Sequence, residues 1–132
     1  MLKRNLYLFI IGACAYAMLE LAWRGRTHVT MAIAGGLSLI FFSLIEKRFQ
    51  NRSVIFRALL SSLAVSFIEL CIGIAFNLVY NMKIWDYSDQ PFNLFGQICP
   101  LFTVLWGLIF VLVIPIVRLL NGYFDRCSYK TI

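Results

Sequence analysis

Two glutamates, Glu20 and Glu69, lie inside apolar stretches of helical length and in similar settings: Tyr16-Ala-Met-Leu-Glu20-Leu-Ala-Trp-Arg24 and Val65-Ser-Phe-Ile-Glu69-Leu-Cys-Ile-Gly73. An ionisable group in hydrocarbon costs roughly 2.5–3.5 kcal/mol on insertion scales, so such groups face a bundle interior or a watery cavity. Arg24 follows Glu20 by four residues, where the two can pair on one helical face. That pair is either a structural device or part of a proton, cation or ligand-amine site. Glu69 has no basic residue beside it in its own stretch. It is read as a proton-coupling carboxyl, or as an acid bonded to Asn77 or Gln97, unless Arg24, Arg26 or His28 reaches it.

Two short polar segments carry the remaining chemistry. Arg24-Gly-Arg26-Thr-His28 gathers donors suited to carboxylate or phosphate groups, with lipid head groups as the default partner. Trp85-Asp86-Tyr87-Ser88 sets a carboxylate between two aromatics, which also suits a simple interfacial belt. Asp86 facing Arg24 or Arg26 would account for both segments structurally. Glu69, Gly73, Asn77 and Tyr80 fall near one helical face; Asn93, Gln97, Pro100 and Thr103 recur at about one turn, as do Gly12, Tyr16, Glu20 and Arg24. Ala32 and Gly36 form a small-xxx-small pair fit for close helix contact. These stripes are expected to meet inside a bundle, because buried amides need partners on facing helices.

The elements that must position them are membrane spans. Of 132 residues, 61% are hydrophobic and 14% charged, a balance too apolar for a soluble domain of this size. A hydrocarbon core about 30 Å thick needs about 20 helical residues, and four blocks serve: Leu6–Trp23, Thr30–Ile45, Ala58–Tyr80 and Phe92–Val117. No strand-like alternation supports a β-barrel. The expected fold is all-α, a single transmembrane domain of four helices over residues 1–132, with a basic loop at 46–57 and a tail at 118–132. Each half is a helix pair whose first member carries a glutamate, which suggests a parallel 2+2 repeat about an axis near the membrane normal.

The net charge of +6 follows topology and is no sign of nucleic-acid binding. Lys3, Arg4, Lys47, Arg48, Arg52, Arg57, Arg118, Arg126 and Lys130 fall on one side, and Arg24, Arg26 and Lys83 on the other. The positive-inside rule then places both termini and the middle loop in the cytoplasm. The first helix lacks a small-residue cleavage site and reads as retained rather than as a secretory signal. Cys14, Cys71 and Cys99 lie in helices and Cys127 in the tail, so no disulfide is expected. One histidine without HExxH or a Cys/His cluster argues against zinc. GxxxxGK[ST], GxGxxG and GxSxG do not occur, so no nucleotide-hydrolysing or hydrolase machinery is legible, and no cofactor or catalytic residue is assigned.

The run Glu20-Leu-Ala-Trp-Arg-Gly-Arg-Thr-His28-Val-Thr-Met31, then Gly35-Gly36, Glu69, and Trp85-Asp-Tyr-Ser88 through Pro91-Phe-Asn93-Leu-Phe-Gly96-Gln-Ile-Cys99 to Trp106, resembles the type IV ABC-transporter (CmpB-type) family. The resemblance spans about Tyr16 to Gly107. It implies a small bacterial four-helix protein, multi-pass in the cytoplasmic membrane. Only the short basic segment Glu46–Arg57 could offer a coupling surface to a separate ATPase, and that segment also suits anionic lipid. The leading expectation is a ligand-binding or accessory transport component. Its outward-facing site would be built on Glu20, Arg24, Arg26, His28, Glu69, Asn77, Trp85, Asp86, Tyr87, Asn93 and Gln97, with membrane lipid, an ATPase or other membrane subunit, or further copies as partners. Alternatives are a proton-coupled exporter acting as a homodimer, an enzyme working on lipid head groups, and a partner-stabilising subunit.

Overall fold

Four helices run up and down in the computed structural model, which describes residues 1–129: α1 (Leu2–Arg24), α2 (Val29–Arg48), α3 (Val54–Ile72) and α4 (Pro100–Tyr129). A π-helical segment, Gly73–Val79, extends α3. Among the described residues there is no strand, only an isolated bridge between Leu94 and Ile98. All four helices, α3 with its extension, are long and apolar enough to cross a membrane, which fits a multi-pass membrane protein. The α1 start, the α2–α3 connection and the α4 end share what is here termed the basic end. The turn at 25–28 and the cap loop at 80–99 mark the cap end.

The helices run further at the basic end than hydropathy implies. Leu2, Arg48, Val54 and Tyr129 are all helical, so the connection expected over 46–57 contracts to 49–53, and most of the expected tail continues α4. Lys130 lies outside the described residues. Charged residues on these extensions pair with one another. Glu46 of α2 accepts from Arg57 of α3 and from Arg118 of α4, the latter at 2.6 Å, and Lys47 meets Asp125 at 2.5 Å. Charges satisfied within the protein let a helix persist past its apolar block.

At the cap end the opposite holds. The fourth helix starts at Pro100 rather than Phe92, because proline suits the first helical position, where its missing N–H is no loss. Asn93 and Gln97, expected on that helix, therefore belong to the cap loop.

A buried apolar cluster of Phe42, Ile45, Val65, Trp106, Phe110, Ile114 and Val117 joins α2, α3 and α4, with Phe42 and Phe110 edge to face at 5.2 Å. Helix α1 lies outside this cluster and buries only Leu8 and Gly12. Its contact with α2 depends on close backbone approach. A Cβ on Gly12 would stand 2.7 Å from Leu39 Cβ, and one on Gly35 would stand 2.7 Å from the Gly12 carbonyl oxygen. In lipid, where helices gain little from hydrophobicity, such contact supplies packing energy. Gly35→Leu should therefore push α1 away and destabilise the protein by about 2 kcal/mol or more. The check is a lowered thermal midpoint in detergent, with α2 still helical by circular dichroism.

Candidate functional site

Glu20 accepts from Arg24 Nε at 2.7 Å and from its Nη2, the (i, i+4) pair that the sequence implies. One turn earlier on α1, Tyr16 stacks on Trp106 of α4 with ring centroids 5.3 Å apart. Glu69 of α3 is 4% exposed and lies within electrostatic range of Glu20, Tyr16 and Tyr87. The Trp106 indole N–H faces the Glu69 carboxyl outside ordinary hydrogen-bond geometry. Among the described residues no cation stands within ion-pair distance of Glu69. Carboxyls from two helices thus share one neighbourhood, and an arginine neutralises only Glu20.

The cap loop closes over this neighbourhood through amide hydrogen bonds. Asn77, buried in the π segment, donates to Gln97 Oε1 at 2.8 Å and to the Trp85 carbonyl at 3.2 Å, and it accepts from the Ile84 N–H at 2.7 Å. Gln97 in turn donates to the Phe95 carbonyl at 2.8 Å, while the Trp85 indole donates to the Gln97 carbonyl at 3.0 Å. Gly73 gives this arrangement room, since a Cβ there would fall 2.9 Å from Gln97 Cβ. Asn77, Trp85 and Gln97 thus spend their side-chain polar atoms on each other and on the backbone of the loop.

The outer part of the loop is held the same way. Asp86 accepts from the Ser88 N–H at 2.9 Å and from the Ser88 hydroxyl. Asn93 donates to the Ser88 and Gln90 carbonyls at 3.2 and 2.9 Å and accepts from the Gly96 N–H at 2.9 Å. Gly96 sits at φ +70°, where a side chain would be strained, and a Cβ there would also stand 2.9 Å from Asp86 Oδ1. Phe92 and Phe95 adopt left-handed conformations as well, with φ +57° and +54°, a strain that persists only where surrounding bonds fix the backbone.

Tyr87 links the loop to the carboxyls. Its ring stacks on Phe102 of α4 at 4.5 Å, and its N–H donates to the Gly96 carbonyl at 2.7 Å. Burial, reinforced by Glu69, pushes its phenol well above the ordinary value, so it stays a neutral donor. Asp86 shifts the other way. The Ser88 hydroxyl and then the Ser88 N–H hold its carboxyl below the usual aspartate value of 3.8.

The residues marked in sequence therefore divide. Glu20, Arg24, Glu69 and Tyr87 come together, joined by Tyr16 and Trp106, whose shared stack has no short-range sequence signal. Asn77, Trp85, Asp86, Asn93 and Gln97 build the loop above them. Asp86 turns to Ser88 and forms no ion pair with Arg24 or Arg26. His28 caps α2, its Nδ1 accepting from the Thr30 N–H at 3.2 Å, and Arg26 is exposed. Tyr80, placed by spacing on the Glu69 face, is 70% exposed because the π segment changes the helical period. At the basic end, Glu46 and Arg57 are each 3% exposed, a buried pair the sequence reading missed. Glu46 stands beside Lys47 and Arg48, and Arg57 falls in the same basic segment, so both read as interfacial charges.

Two outcomes follow. Gln97→Leu should remove the Oε1 acceptor of Asn77 and the amide donor to the Phe95 carbonyl and so loosen the loop, while the Trp85 indole keeps the backbone carbonyl at 97; amide exchange over residues 84–98 is expected to accelerate at least tenfold, against little change in α2. Ser88→Ala should raise the Asp86 pKa towards 3.8, read by carboxyl NMR. In the native protein the depressed value makes the Asp86 contribution complete above the ordinary aspartate pKa. It is lost as pH falls through the lowered one.

A family model described as "Putative ABC-transporter type IV" (CmpB) matches residues 14–131. No curated protein and no solved structure matches the chain.

Proposed function

The chain belongs to the type IV ABC-transporter (CmpB-type) family, and we propose that it serves a transport system as a membrane-embedded ligand-binding or accessory component with its site at the cap end. The observation that carries this reading is the pairing of Glu20 with Glu69 across α1 and α3 when only Glu20 has an arginine partner. A carboxyl buried without a cation is costly, and membrane proteins retain such groups mainly where an ion, proton or ligand uses them. The basic residues gather at the end away from this site, which by the positive-inside rule turns the cap loop outward. A separate ATPase is the partner that this reading expects, since the sequence has no GxxxxGK[ST] motif.

The aromatic surroundings favour a cationic or amine-bearing ligand. Tyr16, Trp106 and Tyr87 present ring surface beside the carboxyls, and a cation over such a face gains about 0.5–2 kcal/mol. A second reading, a proton-coupled small-molecule exporter acting as a homodimer, draws on the same unpaired Glu69. The lipid-head-group enzyme loses support, because Asp86 is engaged with Ser88 and His28 with Thr30, each in its own local turn, and neither bonds to the other.

The test is thermal stabilisation of purified protein by a panel of amines and organic cations such as spermidine and tetraphenylphosphonium. At least one should raise the midpoint of the native chain, and Glu69→Gln should abolish that rise while the variant stays folded and monodisperse. Equal stabilisation of both proteins would remove Glu69 from the site. Release of protons to a weakly buffered medium on cation addition would favour the exporter over the accessory reading.

A further inference from the structure

The buried face of α3 carries more polar groups than its own bonds account for. From Glu69 through Ser66, Ser62 and Ser61 to Arg57, each residue lies within four positions of the next and all five are buried. Twelve residues at 1.5 Å each span about 18 Å, more than half of a hydrocarbon core about 30 Å thick. At one end of the row stand the Glu20–Glu69 carboxyls, and at the other the Glu46–Arg57–Arg118 cluster.

Some of these groups are satisfied. Thr103 donates to the Cys99 carbonyl at 3.1 Å, which leaves Ser66 to donate to Thr103 Oγ1 at 2.7 Å, and Ser62 bonds back to the Leu59 carbonyl at 2.8 Å. Others are not. Ser61 Oγ, in a residue with no exposed surface, has no hydrogen-bond partner; neither do Arg57 Nε nor Trp106 Nε1. The two such donors on α3, and the Trp106 N–H that meets Glu69 only outside ordinary geometry, would each forfeit about 1–3 kcal/mol if they stayed dry. Buried polar groups left without partners are what an internal water bridges, two to four at a time. Where α4 turns Gly107 to α3, a Cβ would meet Ser62 Cβ and the Ala58 carbonyl oxygen at 3.6 Å, ordinary contact distance, so the missing side chain leaves about a methyl group of space beside the serines.

We propose that the α3 row between Glu69 and Arg57, faced by Thr103, Trp106 and Gly107 of α4, is a water-bearing path through the bundle that the Glu46–Arg57–Arg118 cluster closes at the basic end. The water bridges the unpartnered groups and connects the carboxyl site with the opposite surface. The cluster closes the path because Glu46 ties α2 to both α3 and α4 at its mouth. This inference uses Glu69 only as the upper end of the row and stands whether or not the cap-end site binds an amine.

The experiment reads water directly in full-length protein in nanodiscs. Cysteines replace Ser61, Ser62, Ser66 and the lipid-facing Leu63 one at a time, in a background whose four native cysteines are alanine. A small membrane-impermeant methanethiosulfonate should label the three serine positions at least tenfold faster than position 63. Labelling no faster than at position 63 overturns the path. Radiolytic hydroxyl labelling of the native chain guards against a variant that misfolds: modification of Trp106 supports the path, and an unmodified Trp106 overturns it. The joint change Glu46→Gln with Arg57→Gln removes both buried charges together and so leaves neither unpaired. It should raise labelling at position 61 several-fold, and an unchanged rate overturns the assignment of the cluster as the closure.

Discussion

A polar group in hydrocarbon has no solvent to fall back on, so its partner must come from elsewhere in the chain. That requirement organises this bundle at separate depths. At the basic end it draws Arg57 and Arg118 onto Glu46 and so ties α4 to α2 and α3 beside the short connection that joins those two. In the middle it joins Ser66 to Thr103. At the cap end it binds Asn77 to Gln97 and seats a twenty-residue connection on top of α3. The apolar cluster around Phe110 fills the space between helices but does not choose their register. A shifted register would also break the buried Glu46–Arg57 pair, and losing one partner of such a pair costs about 3–5 kcal/mol.

How far each feature was legible depends on how local its cause is. The Glu20–Arg24 pair could be read directly, because a spacing of four fixes proximity on any helix. Four spans could be read for the same reason, as a matter of length and apolarity. The Glu46–Arg57–Arg118 cluster could not. Its members are eleven and seventy-two residues apart along the chain, and each stands among other charges that mask it.

The cap loop illustrates a different limit. Its residue types announced a built structure, and the run from Trp85 to Cys99 is indeed held bond by bond. Whether Asn93 or Gln97 would spend its amide on the chain or on a ligand is settled only by which carbonyls lie within reach. Pro100 shows the same point for a boundary. Hydropathy continues smoothly from Phe92 into α4, while the backbone turns over Phe92 and Phe95 in conformations that no helix contains.

The π segment gives the cap end a mechanical property of its own. A stretch with i→i+5 bonds holds one residue more than the α form would in the same length, and it can exchange register with the α-helix below it by passing that residue along. Each such step turns the residues that it passes by about 100°, the rotation of one helical residue, and leaves the register beyond them unchanged. Asn77 would swing away from Gln97 and carry off the acceptor for the Ile84 N–H and the donor to the Trp85 carbonyl. A register shift that passes Asn77 would therefore release the cap loop from α3 at its central amide.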